Sequence, residues 1–125
     1  MKFKLPHLKT QFDKLPSLLK EITYFVEDWA HSKGKQCIIT RVTDPVKGES
    51  GVHPAGRAVD IRDETSDGQD LFTDAEIEEI VSLVNATYPR KDGRVVALHH
   101  SFKGMPRHIH LQVPFNLEKG IVKHV

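Results

Sequence analysis

Residues 108–113 read HIHLQV, and this alternation constrains the fold more tightly than any other stretch of the chain. Successive side chains of a β-strand point to opposite faces. Ile109, Leu111 and Val113 therefore share one face, and His108, His110 and Gln112 share the other. The apolar trio belongs to a core, so the two histidines look out from a rigid support on the far side of the sheet. Residues 57–62, RAVDIR, alternate in the same way: Val59 and Ile61 point one way, and Ala58, Asp60 and Arg62 the other. Set side by side as antiparallel neighbours, the two strands bring Asp60 and His110 within a few ångströms.

The remaining segments supply what such a sheet needs. Leu18, Leu19, Ile22, Phe25, Val26, Trp29 and Ala30 form a helical stripe over 17–33, with Pro16 in its first turn and Gly34 at its end. Residues 37–42, CIITRV, are β-branched and predict a strand. Residues 43–56 contain Pro45, Gly48, Gly51, Pro54 and Gly56 and read as loop. Thr73 and Glu76 offer a capping box for a second helix. Its buried face is Ile77, Ile80, Val81, Val84 and Tyr88, and Pro89 ends it. Residues 95–102, VVALHHSF, predict a further strand. The order α-β-β-α-β-β gives an α+β fold: an antiparallel sheet of about four strands with two main helices packed on it. With 125 residues and 38% hydrophobic composition, residues 1–125 are expected to form a single domain.

Composition closes off several functions. Eighteen basic and seventeen acidic residues leave a net charge of +1, which gives no electrostatic case for binding nucleic acid or an anionic membrane. No apolar run approaches the roughly 20 residues of a membrane span. The start, MKFKLPHLKTQF, has lysines but no apolar region behind them, so no secretory signal is expected and synthesis in a cytoplasm is. Cys37 is the single cysteine, so it has no disulfide partner, and beside Ile38 and Ile39 it reads as a small buried hydrophobe. Histidine is the unusual ingredient: there are eight, four of them between positions 99 and 110.

A catalytic zinc needs three protein ligands and an open fourth position. His53, Asp60 and His110 supply two imidazoles and a carboxylate, and Gly56 and Ala58 leave room for the backbone to fold His53 back over the strand. Such an ion lowers the pKa of bound water toward about 7 and polarises a carbonyl. His108, on the same face as His110, is placed to move the proton or hold the developing charge. Singly, each residue has an ordinary explanation: a solvated loop histidine, a capping aspartate, a polar strand face. Together, on strand-adjacent positions, they point to a metal.

His53, Gly56, Ala58 and Asp60 form H-x-x-G-x-A-x-D, followed about fifty residues later by H-x-H. The pattern resembles the zinc peptidases of the D-alanyl-D-alanine carboxypeptidase and murein endopeptidase group, part of a wider set that includes lysostaphin-type enzymes and the hedgehog signalling domain. The resemblance spans roughly residues 37–113 and implies a zinc cleft on the sheet face. It implies His53, Asp60 and His110 as metal ligands, His108 as catalytic base or transition-state stabiliser, and Arg41 as the strand arginine that holds substrate. The implied activity is hydrolysis of an amide bond in peptides of bacterial peptidoglycan. The missing secretory signal would suit a phage or prophage lysis enzyme that reaches the cell wall after release. Two positions depart from the group. Gly51 stands where a serine is frequent, with Ser50 one earlier, and Arg107 stands three residues before the last ligand, where many members carry an acid. Arginine stays protonated and cannot serve as a general base. The base is then His108, or Glu49 reaches in from the loop, or activity is lost and a catalytically inactive binding or structural module remains. A non-haem iron oxygenase uses the same residue types, but its His and Asp ligands usually lie close together on one strand, whereas His53 and Asp60 are seven residues apart. His99 or His100 is a candidate to line the cleft, while His7, His31 and His124 follow no pattern.

Overall fold

A computed structural model describes residues 1–45, 51–63, 71–100, 107–114 and 120–121. Among the described residues, eight elements follow in order: β1 (Lys2–Phe3), α1 (Pro6–Asp13), α2 (Ser17–Ser32), β2 (Ile38–Arg41), β3 (Ala58–Arg62), α3 (Asp74–Thr87), β4 (Ala97–His100) and β5 (His108–Gln112). The strands form one sheet in the order β1-β2-β3-β5-β4. The α+β class expected from the sequence is the one observed. In detail, the sheet has five strands and is mixed, because β1 runs parallel to β2, and three helices accompany it.

The additions lie at the amino end. Lys2 N and Lys4 N donate to the carbonyls of Cys37 and Ile39, which adds β1 to the sheet edge. Two residues are too few to show a period, so hydropathy could not reveal it. The helix α1 begins at Pro6, whose fixed φ suits a first turn, and buries only Leu8 and Phe12. Two apolar positions in eight residues are a weak stripe, which is why the sequence pattern missed it.

The central strands follow the alternation closely. Asp60 pairs with His110, Val59 with Leu111 and Ile61 with Ile109 across β3 and β5. Paired residues share a face, so one side of the sheet carries Val59, Ile61, Ile109, Leu111 and Ala97. These join Leu19, Ile22, Val26, Trp29, Ile77, Ile80 and Val84 of α2 and α3 in the hydrophobic core. Asn85 of α3 fixes where β4 starts: its Oδ1 accepts from Val96 N and Ala97 N, and its Nδ2 donates to Ala97 O. The Thr73 capping box forms as expected, with Glu76 N donating to Thr73 Oγ1 at 3.1 Å and Thr73 N to Glu76 Oε1 at 2.8 Å. Cys37 is 1% exposed, the buried hydrophobe that its neighbours suggested. Among the described residues, no helix is long and apolar enough to cross a membrane.

Candidate metal centre

The face opposite the helices carries Asp60, and three imidazoles converge on it. His53 arrives from a single helical turn. Ala55 N donates to Gly51 O, and the turn closes with Arg57 N donating to Val52 O and Gly56 N to His53 O. Those last two bonds are the paired closure of a helix C-terminus, which needs a residue in the left-handed region. Gly56 fills that position with φ of +71°. The turn reverses the chain directly into β3, so His53 folds back over Asp60 with none of its surface exposed.

Asp60 Oδ1 is the hub. It lies 2.7 Å from His110 Nδ1, 3.3 Å from His53 Nε2 and 3.4 Å from His108 Nε2. The other oxygen, Oδ2, faces Arg41 Nε at 3.4 Å. All five side chains are buried. Burial alone would push the carboxyl toward protonation. The hydrogen bond from His110 and the imidazoles of His53 and His108 outweigh it and hold Asp60 well below the usual carboxylate range.

Arg41 reaches this face through an irregularity. β2 spends two residues, from Ile39 to Arg41, against one step of β3, from Ile61 to Asp60. Regular alternation would place Arg41 on the same side as Ile39, in the core. The extra residue, Thr40, rotates the strand so that Ile39 stays with the core and Arg41 turns toward Asp60. Nothing in CIITRV marks the bulge.

The arrangement fits a metal ion on three counts. His53, Asp60 and His110 each offer one ligand atom, and these atoms lie within 4.8 Å of one another. His53 Nδ1 is 2.7 Å from Val42 O. A carbonyl can only accept, so the proton of a neutral His53 sits on Nδ1 and the lone pair of Nε2 points at the carboxylate. That nitrogen is buried and makes no well-formed hydrogen bond. Finally, ligands roughly 2.0–2.1 Å from a tetrahedral zinc stand about 3.3 Å apart; His53 Nε2 and Asp60 Oδ1 match this at 3.3 Å, while His110 Nδ1 stands at a hydrogen-bond distance of 2.7 Å from the same oxygen. The outer contact to Val42 O is of the kind that orients a ligating histidine.

The other candidates separate. Of the two β4 histidines, His99 faces the helix side and contacts Asp63 there through Nε2 and Oδ2. It therefore does not line the Asp60 face. His100 pairs with His108 in the ladder, and its side chain lies outside the described residues, as do Glu49, Ser50 and His124. Arg107 is exposed and borders a groove of about 310 Å³ against α3, together with Asp74, Ile77, Glu78, Val81 and His99. His31 is exposed; His7 is half-exposed and bonds Asp44 at 2.6 Å. Two participants escaped the sequence pattern: the Val42 carbonyl, which no side-chain motif can encode, and Gln112, whose Oε1 lies 3.2 Å from His110 Nε2. Gln112 was legible only as the third residue on the polar face of HIHLQV.

Comparison of the chain with protein-family models, with curated proteins and with solved structures gives no match in any of the three.

Proposed function

We propose that this chain is a zinc-dependent peptidase that hydrolyses an amide bond in the peptides of bacterial peptidoglycan. The observation that carries the reading is the convergence of His53 Nε2, at 3.3 Å, and His110 Nδ1, at 2.7 Å, on one buried carboxylate oxygen, with His53 Nδ1 held on the Val42 carbonyl. When both imidazoles turn a lone pair toward that carboxylate, a cation among the three satisfies them together. The choice of zinc follows the mixed nitrogen and oxygen donor set. The cell-wall substrate and a role in phage or prophage lysis rest on the resemblance of H-x-x-G-x-A-x-D and H-x-H to the murein peptidases.

His53, Asp60 and His110 would hold the ion, and zinc, when bound, supplies Lewis acidity. Arg41, beside Oδ2, keeps Asp60 turned so that Oδ1 faces the imidazoles. His108 stands on the same strand face, with Nε2 3.4 Å from Asp60 Oδ1 and its ring centre 6.3 Å from that of His110. From there Nε2 can accept a proton from the attacking water and return it to the leaving amine, or donate to the oxyanion of the tetrahedral intermediate. Arg41 also has the chemistry to pair with a peptide carboxylate, the role that the resemblance gives it.

The test is metal analysis and a peptide-release assay. Protein purified without chelator should carry about one equivalent of zinc per chain, in line with one three-ligand site; less than half an equivalent would overturn the reading. Muropeptide hydrolysis should stop on chelation. His108→Ala should keep its zinc and lose turnover by about 100-fold or more. The near-complete burial of His53, Asp60, His108 and His110 favours a second reading, a non-catalytic module in which the ion ties the 51–56 turn to β3 and β5. Zinc uptake without release of peptide from any muropeptide would establish that one instead.

A further inference from the structure

We infer that Gln112 is a positioning residue that selects which nitrogen of His110 is offered to the metal. This rests on the metal reading above. The two histidine ligands present different atoms to Asp60: Nε2 from His53 and Nδ1 from His110. Neutral imidazole carries one proton, so each ring must keep that proton on the other nitrogen if the facing one is to ligate. For His53 the acceptor that keeps it there is the Val42 carbonyl at Nδ1. His110 needs the opposite tautomer, with its proton on Nε2. The Gln112 side chain faces Nε2, with Oε1 at 3.2 Å.

An amide can turn either end toward a neighbour, so the assignment needs a reason beyond proximity. Val95 supplies it. Gln112 Nε2 lies 3.4 Å from the Val95 carbonyl, and a carbonyl accepts only. The amine end must face Val95, which turns the oxygen toward His110. The backbone places both groups: Gln112 N donates to Val96 O at 2.8 Å, continuing the pairing of β5 with the segment that leads into β4. Without a metal, His110 Nδ1 also has an acceptor, Asp60 Oδ1 at 2.7 Å, which favours a proton on the ligating nitrogen. Gln112 counters that preference by stabilising the tautomer that leaves Nδ1 free to bind. The chain thus uses a main-chain carbonyl for one histidine and a side-chain amide, two residues along the same strand face, for the other.

Three full-length proteins test this: wild type, Gln112→Leu and Gln112→Glu. Zinc affinity is measured by competition with a chromophoric chelator, and long-range proton–nitrogen NMR correlations on the zinc-loaded proteins identify the protonated nitrogen of His110. The partly exposed position and a thermal scan of each metal-free protein separate misfolding from weakened binding. Gln112→Leu should weaken zinc binding about 10–100-fold, while Gln112→Glu, which keeps an acceptor oxygen, should stay within about threefold of wild type. Wild-type His110 should carry its proton on Nε2. Equal affinity of Gln112→Leu and wild type, equal loss in both variants, or a wild-type proton on Nδ1 would each overturn the assignment while the metal reading stands. A wild type that takes up no zinc overturns the metal reading and the assignment with it.

Discussion

Replacing Asp60 with asparagine keeps the volume of the side chain and removes the charge on which the site is organised. The carboxylate is 1% exposed and has Arg41 Nε at 3.4 Å and His110 Nδ1 at 2.7 Å. Unit charges 3.4 Å apart attract by about 5 kcal/mol at an effective dielectric constant of about 20. A hydrogen bond to a charged acceptor adds about 1.5–3 kcal/mol. Against these stands the cost of burying the carboxylate, which the variant recovers. Removing one member of a buried ion pair leaves its partner's desolvation in place, and the balance is a net loss of about 3–5 kcal/mol. For a chain of this length that is roughly 10–20 °C in Tm. The assay is urea unfolding followed by far-ultraviolet circular dichroism at pH 7 with a chelator present, so that zinc binding does not contribute. Asp13→Asn, which touches only an exposed pair with Lys9, serves as the control and should cost little or nothing. An Asp60→Asn loss under about 1 kcal/mol, or a gain, would refute the reasoning: the carboxylate would then not be buried beside Arg41, or its burial would cost more than its partners return.

Two further outcomes probe the parts of the fold that flank the site. Phe12 is 1% exposed and packs its ring 5.6 Å from Phe3 and 5.8 Å from Tyr24. Phe12→Ala should cost about 3–5 kcal/mol in urea unfolding, and a loss below about 1 kcal/mol would mean that α1 is not docked. The Cys37 thiol is pushed from 9.0 to about 12, chiefly by burial and then by Glu27. At pH 8 iodoacetamide should therefore modify it about a thousand-fold more slowly in the folded protein than in urea; equal rates would show that β2 is open. The sign for stability follows from the folded chain holding the thiol proton more tightly. The contribution is fully present below pH 9.0 and is lost as the pH rises toward about 12, so wild type should lose stability relative to Cys37→Ala over that range.

What the sequence disclosed and what it hid divide along physical lines. Alternation with a period of two placed Asp60 and His110 on one face, and the ladder then pairs them residue for residue. The apolar stripe of α2 and the Thr73 box of α3 are equally local, and both were legible. The bulge at Thr40 was not, since one inserted residue inverts the facing of everything beyond it without altering composition. Arg41 was named only through a resemblance, and strict alternation would have put it in the core. The strand β1 and the helix α1 were hidden because their stabilisation is tertiary: backbone bonds to Cys37 and Ile39 in one case, and Leu8 and Phe12 in the other. α1 also steadies the loop after β2, because Gln11 accepts from Thr43 N and donates to Asp44. No reading of residues 6–13 alone could have found that.

A proton is the rival to a metal ion between His53 and Asp60, and geometry bears on the choice. A proton on His53 Nε2 would make that ring a cation, since Nδ1 already donates to Val42 O. It would then donate to Asp60 Oδ1, as His110 does at 2.7 Å. The ring stands off at 3.3 Å instead, without a well-formed hydrogen bond. A second buried cation beside Arg41, on a carboxylate that already accepts a full bond from His110, would gain little for its desolvation. An ion that draws one lone pair from each of the three residues uses the 3.3 Å separation as a coordination edge rather than leaving it a poor hydrogen bond. On that ground His53, Asp60 and His110 form a group that could hold a metal ion.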